Sequence, residues 1–329
     1  MMRAMRSTLR TGRLLGLLLA GALAGALPLA ADDWRLATQL PEGSVQIQSL
    51  ELFAQDIEAA SKGRIAPGVY PAEGLEGVES LVAAVQGGSV PLATLSLGEL
   101  AAWGPLFEAD SLPTLAGDYP AARRLWEVLR DPLQRAFWRE GLILLFSAPQ
   151  APRGLLGPSG LTSAMSLSGE SVGGSTPLAV ELAAKVGAEA VSASDLELAE
   201  SFRDGGLTAA FLGAPEALRG ITDEAAVAFY PLNSWVPLTV VVMNKGAFET
   251  LGRAEQEMLR TAAENAEAQA WAAGEAQNDS ILRLLERDGF LVRAPLLRRQ
   301  LTQAGRAVAA AWLERAGIQG QSLLRAYRN

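Results

Sequence analysis

The chain has 329 residues, of which 28 are basic and 36 acidic, giving a formal charge of −8, and it contains neither histidine nor cysteine. Without those two side chains the common zinc sites, cysteine nucleophiles and Ser-His-Asp triads are excluded, and no Ser-x-x-Lys motif offers a substitute. The acidic balance argues against nucleic acid or anionic lipid as a partner, while the length suits two domains of ordinary size that need no disulfide staples.

The first thirty or so residues read as a secretory leader. Arg3, Arg6, Arg10 and Arg13 precede an apolar run from Leu14 to about Leu23, followed by small residues and Pro28. Such a run is too short for a stable bilayer span, so we expect cleavage near Ala30 or Ala31 and export to the periplasm rather than a retained anchor. A lipid anchor would need a cysteine. Loss of the four leader arginines leaves a mature chain with a formal charge of about −12.

Beyond the leader, Trp34 to Gln39 reads as a strand, and the Pro41-Glu42-Gly43-Ser44 turn opens a helix with Leu50, Phe53 and Ile57 on one face, ending at Gly63. A strand over 65–70, a helix over 76–86 and a strand over 90–95 complete a βαβαβ rhythm, which predicts a parallel sheet flanked by helices. Two helices near 121–129 and 133–139 and the apolar strand 142–146 follow. The segment 148–168, rich in Pro, Gly and Ser, is expected to be a crossing between domains. A second α/β alternation runs through strands near 171–173, 190–191 and 207–212, helices 178–186 and 196–203, and an extended stretch 225–230. The β-branched strand 239–243 comes too late to begin another domain and is expected to return to the first sheet. The chain from 247 to 285 is helical, and a last helix carries Leu297, Leu301, Ala304, Val308 and Trp312.

This order predicts a two-lobed α/β protein of the periplasmic binding type, with lobe I over 32–150 plus 239–278 and lobe II over 151–238 plus 279–329. An exported molecule of this build without catalytic nucleophiles points to a ligand held between lobes that close about a hinge. An exported hydrolase working through two facing carboxylates is the alternative, with Glu73, Glu108 and Asp110 as its acids. A binding protein that serves a sensor is a second. No cofactor is implied, and no Asp-x-Asp-x-Asp-Gly loop marks a calcium site.

Several short stretches then resemble the DctP-type solute-binding proteins of tripartite ATP-independent periplasmic (TRAP) transporters. They are Trp34-Arg35-Leu36-Ala37-Thr38, Phe53-Ala54 with Ser61-Lys62-Gly63-Arg64-Ile65, Val85-Gln86-Gly87-Gly88, Pro105-Leu106-Phe107 with Leu112-Pro113, Leu167-Ser168-Gly169-Glu170-Ser171-Val172, and 235–251. The resemblance implies a receptor that captures a small solute, commonly an organic acid, and delivers it to TRAP membrane permease subunits. It also implies several crossovers and a long helix spanning both lobes. Members of the family hold a ligand carboxylate with an arginine where this chain has Gly173, so a two-pronged, charge-assisted contact is replaced by at most a backbone N–H. Arg153 matches a second, more variable family arginine and is the remaining anion-binding candidate.

Asn233 and Trp235 fall in a segment that faces ligand in the family. Phe211 makes the rim more apolar, after Thr208 where relatives often carry an acid. Gln39, at a strand end of an open α/β sheet, and Trp103, on the loop before Pro105, complete the candidate set.

Overall fold

The computed structural model describes residues 34–75, 77–221 and 226–328. The leader and its cleavage site lie outside the described residues, as do Glu76 and Ala225 at the edges of an expected helix and strand. Strands β1 (Arg35–Thr38), β2 (Gly68–Pro71), β3 (Leu92–Ser96), β4 (Leu142–Pro149) and β10 (Leu238–Asn244) form one sheet in the order β2-β1-β3-β10-β4. Strands β5 (Leu155–Pro158), β6 (Ser171–Gly174), β7 (Glu189–Ser192), β8 (Ala209–Ala210) and β9 (Val227–Tyr230) form the other, in the order β7-β6-β8-β5-β9. The expected return strand is present: β10 lies between β3 and β4, antiparallel to both, with Val240, Val241 and Val242 fully buried.

Helix α1 (Val45–Ser61) starts where the Ser44 side chain accepts the Ile47 N–H, and buries Leu50, Phe53 and Ile57 as its periodicity requires. It ends at Ser61, two residues before Gly63, because Lys62 already adopts the left-handed conformation (φ 58°). Helix α2 (Gly77–Gln86) packs on the first sheet. The two helices expected over 121–139 are one, α3 (Tyr119–Arg139), with Pro132 inside it. Proline forfeits one helical hydrogen bond, yet Leu129, Leu133 and Phe137 on either side of it are all fully buried in one core, and that shared apolar face holds the helix continuous.

The segment 148–168 does carry the chain from the first sheet to the second, but it is not loop throughout: it also contains β5, a strand in the interior of the second sheet between β8 and β9. Its glycines are needed by close packing: a Cβ on Gly154 would stand 2.4 Å from the Phe229 ring, and one on Gly157 would stand 2.9 Å from Leu161. Helices α4 (Pro177–Lys185) and α5 (Asp195–Arg203) agree with expectation, whereas α6 (Ala214–Gly220) is an addition.

After β10 and the short α7 (Lys245–Thr250), the 35-residue α8 (Arg253–Arg287) reaches both sheets. Its Leu259, Ala262, Ala263 and Ala266 join the cluster under the first sheet, and Leu285 joins the cluster under the second. Helix α9 (Pro295–Arg328), interrupted at Gly317, runs back over both: Trp312 Nε1 donates to Pro105 O (2.9 Å), and Arg315 stands between Glu108 (3.4 Å) and Glu181 of α4 (3.6 Å). Among the described residues no helix is long and apolar enough to cross a membrane.

Candidate functional site

The chain passes between the sheets at 150–154 and again at 231–237, and the two passages pair as a short ribbon. Arg153 N–H donates to Trp235 O (2.8 Å), Ser234 N–H donates to Arg153 O (3.0 Å) and Gln150 N–H donates to Pro237 O (2.8 Å). This ribbon carries Arg153 into the interior, where it is 2% exposed. Its Nη2 donates to Gln150 Oε1 (2.6 Å) and to Asp195 Oδ2, and its Nη1 lies 3.7 Å from Glu216 Oε2. Asp195 opens α5 behind the Ser194–Glu197 capping box, and Glu216 sits in the first turn of α6, so both carboxylates are placed by helix starts that favour negative charge. Gly213 makes room for the pair, since a Cβ there would come 2.6 Å from Glu216 Oε2 and 3.2 Å from Arg153 Nη1.

From the first sheet's side come Glu99 and Asp110, in the turns after β3. Burial, and then repulsion from Asp195, push the Glu99 carboxyl up to about 7, against the pull of Ser96 and Arg153. Burial also pushes Asp110 up to about 7, although Leu238 N–H (2.8 Å) and Ser111 Oγ–H (2.9 Å) donate to it and Arg153 favours its charged form. Glu216 is raised by burial and by Asp195, with Arg153 opposing. Thus one buried guanidinium is the counter-charge for four carboxyl groups, two of them poised to titrate near neutrality.

Arg153 Nη1, Asp195 Oδ1, Glu216 Oε2 and Trp235 Nε1 are buried with no hydrogen-bond partner. Native interiors leave few such atoms, because each costs about 1–3 kcal/mol if it stays dry and unpaired. Beside this network an interlobe cavity of about 220 Å³ is lined by Ser44, Gln46, Tyr119, Ala151, Glu216 and Gln277, among others. Tyr119 Oη donates to Gly274 O of α8 (2.9 Å) and Gln46 Nε2 donates to Pro149 O (2.8 Å), so its walls tie α1, α3, β4 and α8 together. A larger groove of about 680 Å³ lies between α8, the start of α9 and the second passage.

Four of the sequence-derived candidates are linked. Phe211 N–H donates to Gly173 O (2.9 Å), the Phe211 and Trp235 rings are 6.0 Å apart, and Trp235 O accepts from Arg153. The place where a Gly173 side chain would begin is occupied: a Cβ would stand 2.4 Å from Leu198 Cδ2 and 3.0 Å from Leu207 Cδ1. The structure does not draw the other three into this group. Asn233, left-handed at φ 53°, lines the larger groove. Gln39 is exposed and donates to Leu75 O (2.6 Å) and Gly77 O (3.2 Å). Trp103 packs edge-on against Phe107 and Phe137.

Reading the residues missed Gln150, Asp195, Glu216 and Glu99. Asp195 and Glu216 had a visible signal, as acids in the first turn behind a Ser cap and a Gly-Ala-Pro start, but that signal speaks of helix capping. Of the acids considered for hydrolysis, Glu108 is held by Arg315, Asp110 is bound to the Leu238 backbone and Glu73 is exposed.

Two sheets bridged by paired passages and long helices, with a charged interior between them, make a fold that can be compared with known proteins. The model of the bacterial extracellular solute-binding proteins, family 7 (DctP), matches residues 36–315. The chain belongs to this family. Its fold is similar to DctP7 of Bordetella pertussis, an extracytoplasmic solute receptor binding pyroglutamic acid, with a TM-score of 0.84 and 25% identity over 90% of this chain and 99% of that one. DctP6 of the same organism, also binding pyroglutamic acid, gives 0.83 and 26% over the same shares. A TRAP solute-binding protein from a Sulfitobacter species, with bound β-D-galacturonate, shares the fold at a TM-score of 0.79 and 19% identity, over 90% of this chain and 99% of that one. The sialic acid-binding periplasmic protein SiaP of Vibrio cholerae is 29% identical over 116 residues, a match that covers 33% of this chain and 36% of the relative. This family consists of solute-binding receptors, which supports the binding reading over the hydrolytic one.

Proposed function

We propose that the protein is a periplasmic receptor, exported by a leader cleaved near Ala30 or Ala31, that closes on a small organic solute and passes it to a TRAP membrane permease without chemical change and without a cofactor. The lobes are 32–150 plus 239–278 and 151–238 plus 279–329. Arg153 carries the reading: a guanidinium 2% exposed, with Nη1 lacking a hydrogen-bond partner, beside an interlobe cavity. Such an atom is what a ligand's acceptor group would satisfy. Trp235 and Phe211 supply an apolar wall, and Gly173 allows Leu198 to fill the position of a second arginine. Asn233 and Gln39 act at the rim and Trp103 through packing. The pyroglutamate bound by the two Bordetella receptors makes compact organic acids the first compounds to try.

The test is thermal shift and titration calorimetry on the mature chain with pyroglutamate, uronates and other organic acids. A ligand at 100 times its dissociation constant should add about 2.7 kcal/mol of stability, and Arg153→Ala should remove the effect. Affinity undiminished in Arg153→Ala overturns this site. Pull-down of a co-expressed permease by the liganded receptor, and not by a sensor, tests delivery.

A further inference from the structure

The charge of the solute can be argued from the atoms that surround Arg153, an inference that rests on the receptor reading above. Arg153 is the sole arginine or lysine among the buried described residues. Its Nη2 is committed to Gln150 and Asp195, which leaves Nη1 as an open donor. Two carboxyl oxygens are likewise buried without a hydrogen-bond partner, Asp195 Oδ1 and Glu216 Oε2, the latter 3.7 Å from Nη1, beyond hydrogen-bond length. Glu99 lies close enough to Asp195 for repulsion to act on it. Leu198 and Leu207 close the β6 side of the site, so no second guanidinium is available from Gly173.

A simple organic anion meets this set poorly. Its carboxylate satisfies Arg153 Nη1 and in doing so brings another negative charge next to Asp195 and Glu216, in an interior where attraction and repulsion are weakly screened. It also leaves both acceptors without donors, which a selective site penalises. A ligand carrying an acceptor and an ammonium group answers all three atoms and cancels the surplus of acid. The adjoining cavity of about 220 Å³, with Glu216 in its wall, holds a volume equal to about seven waters, room for a compact solute of this kind.

We propose that the site selects a small zwitterion of the amino-acid class, with its acceptor group on Arg153 Nη1 and its ammonium between Asp195 Oδ1 and Glu216 Oε2. The open donor and open acceptors at one buried point are the observation that separates this from an organic-anion site.

Titration calorimetry on the mature protein with matched pairs that differ only at the α-substituent reads the difference directly: L-alanine against L-lactate, L-leucine against its 2-hydroxy analogue, and L-glutamate against 2-hydroxyglutarate, with pyroglutamate as a carboxylate bearing a neutral N–H. In at least one pair the amino acid should bind ten-fold tighter or better, and Glu216→Gln and Asp195→Asn should each lose about ten-fold for it while leaving the hydroxy acid unchanged or improved. The paired comparison on the unaltered protein decides the question even where a variant fails to fold. Equal or tighter binding of the hydroxy acids, or of pyroglutamate, overturns the zwitterion inference and leaves the receptor reading standing. Silence from every pair while uronates or other acids bind does the same. Silence from all compounds overturns both.

Discussion

If Leu198 fills the space beside Gly173, then restoring a side chain at 173 and trimming Leu198 must be strongly coupled. Gly173→Ala places a methyl 2.4 Å from Leu198 Cδ2, and Leu198 is fully buried in the core of the second sheet. Carbon atoms rest at about 3.5–4.0 Å, so a shift of more than 1 Å is forced on a packed core. The overpacking should cost about 1–3 kcal/mol, offset by the roughly 0.5–1 kcal/mol that alanine gains over glycine in a strand. Leu198→Ala alone opens a cavity and should cost about 2–5 kcal/mol. In the double variant the new methyl enters the space just vacated, so the combined loss should fall short of the sum by about 1–2 kcal/mol. Urea unfolding of the four proteins, followed by tryptophan fluorescence, measures the cycle. Additivity within about 0.5 kcal/mol would show that Leu198 does not occupy this position. By the same geometry Gly173→Arg alone should not improve carboxylate binding, because its side chain has no path past Leu198.

Other consequences concern buried acids. Asp110 and Glu99 have folded-state values raised to about 7, so the native state holds their protons over a range in which the unfolded chain has released them. The stability they lend is therefore complete below the ordinary carboxylate range and is lost as pH rises through about 7. For Asp110 this amounts to something on the order of 4 kcal/mol, so unfolding midpoints should fall from pH 5 to pH 8 and Asp110→Asn should flatten the profile; a midpoint rising over that interval contradicts the assignment. At pH 8, where Glu99 has lost its proton, Glu99→Gln removes the repulsion with Asp195 and should shift ligand-free protein toward the closed form, seen as a smaller radius of gyration in solution scattering; no change, or expansion, counts against it. Glu267 of α8 accepts from Trp126 Nε1 (3.1 Å), Arg130 Nη2 (2.6 Å) and Ser147 N–H (2.9 Å). Glu267→Ala should cost about 3 kcal/mol in urea unfolding and Glu267→Gln distinctly less, whereas equal small losses would mean that these bonds are dispensable.

The parts of this fold that could be read from the chain are those where one residue type does one job. The apolar faces of α1 and α2 and the β-branched run in β10 have no other use, and each forms where its pattern places it. At Pro132 and at Gly154 and Gly157 the local rule was overruled from outside. Pro132 is carried by a core that spans both sides of it, and Gly154 and Gly157 are small because Phe229, Leu161 and Ala209 press on them, not because the chain turns there. The site divides in the same way. Arg153 and Trp235 were both singled out through a resemblance, but Asp195 and Glu216 acquire their meaning from the guanidinium that the passage between sheets brings to them. That juxtaposition involves residues 42 and 63 positions away from Arg153, and no spacing rule reaches so far.

The placement of the charges relative to the two sheets also bears on how a receptor of this design would respond to its solute. Asp195 and Glu216 belong to helices on the second sheet, and Arg153 lies on the passage leading into it, so this triad stays together whatever the first sheet does. Glu99 follows β3 and Asp110 lies beyond it, and both belong to the first sheet's side. Bringing the sheets together therefore adds carboxyl groups to a site already rich in them, and above about pH 7, where Glu99 has lost its proton, closure without a ligand is opposed by its repulsion from Asp195. A solute that supplies positive charge at that boundary interacts better with the closed arrangement than with the open one. That differential affinity is all that a ligand needs in order to shift such an equilibrium. Helix α8 limits the motion, since Glu267 and Trp271 fasten its middle to β4 while Leu285 is packed under the second sheet. The bending must then fall between those anchors and in the ribbon at 150–154 and 231–237, which is where Arg153 sits.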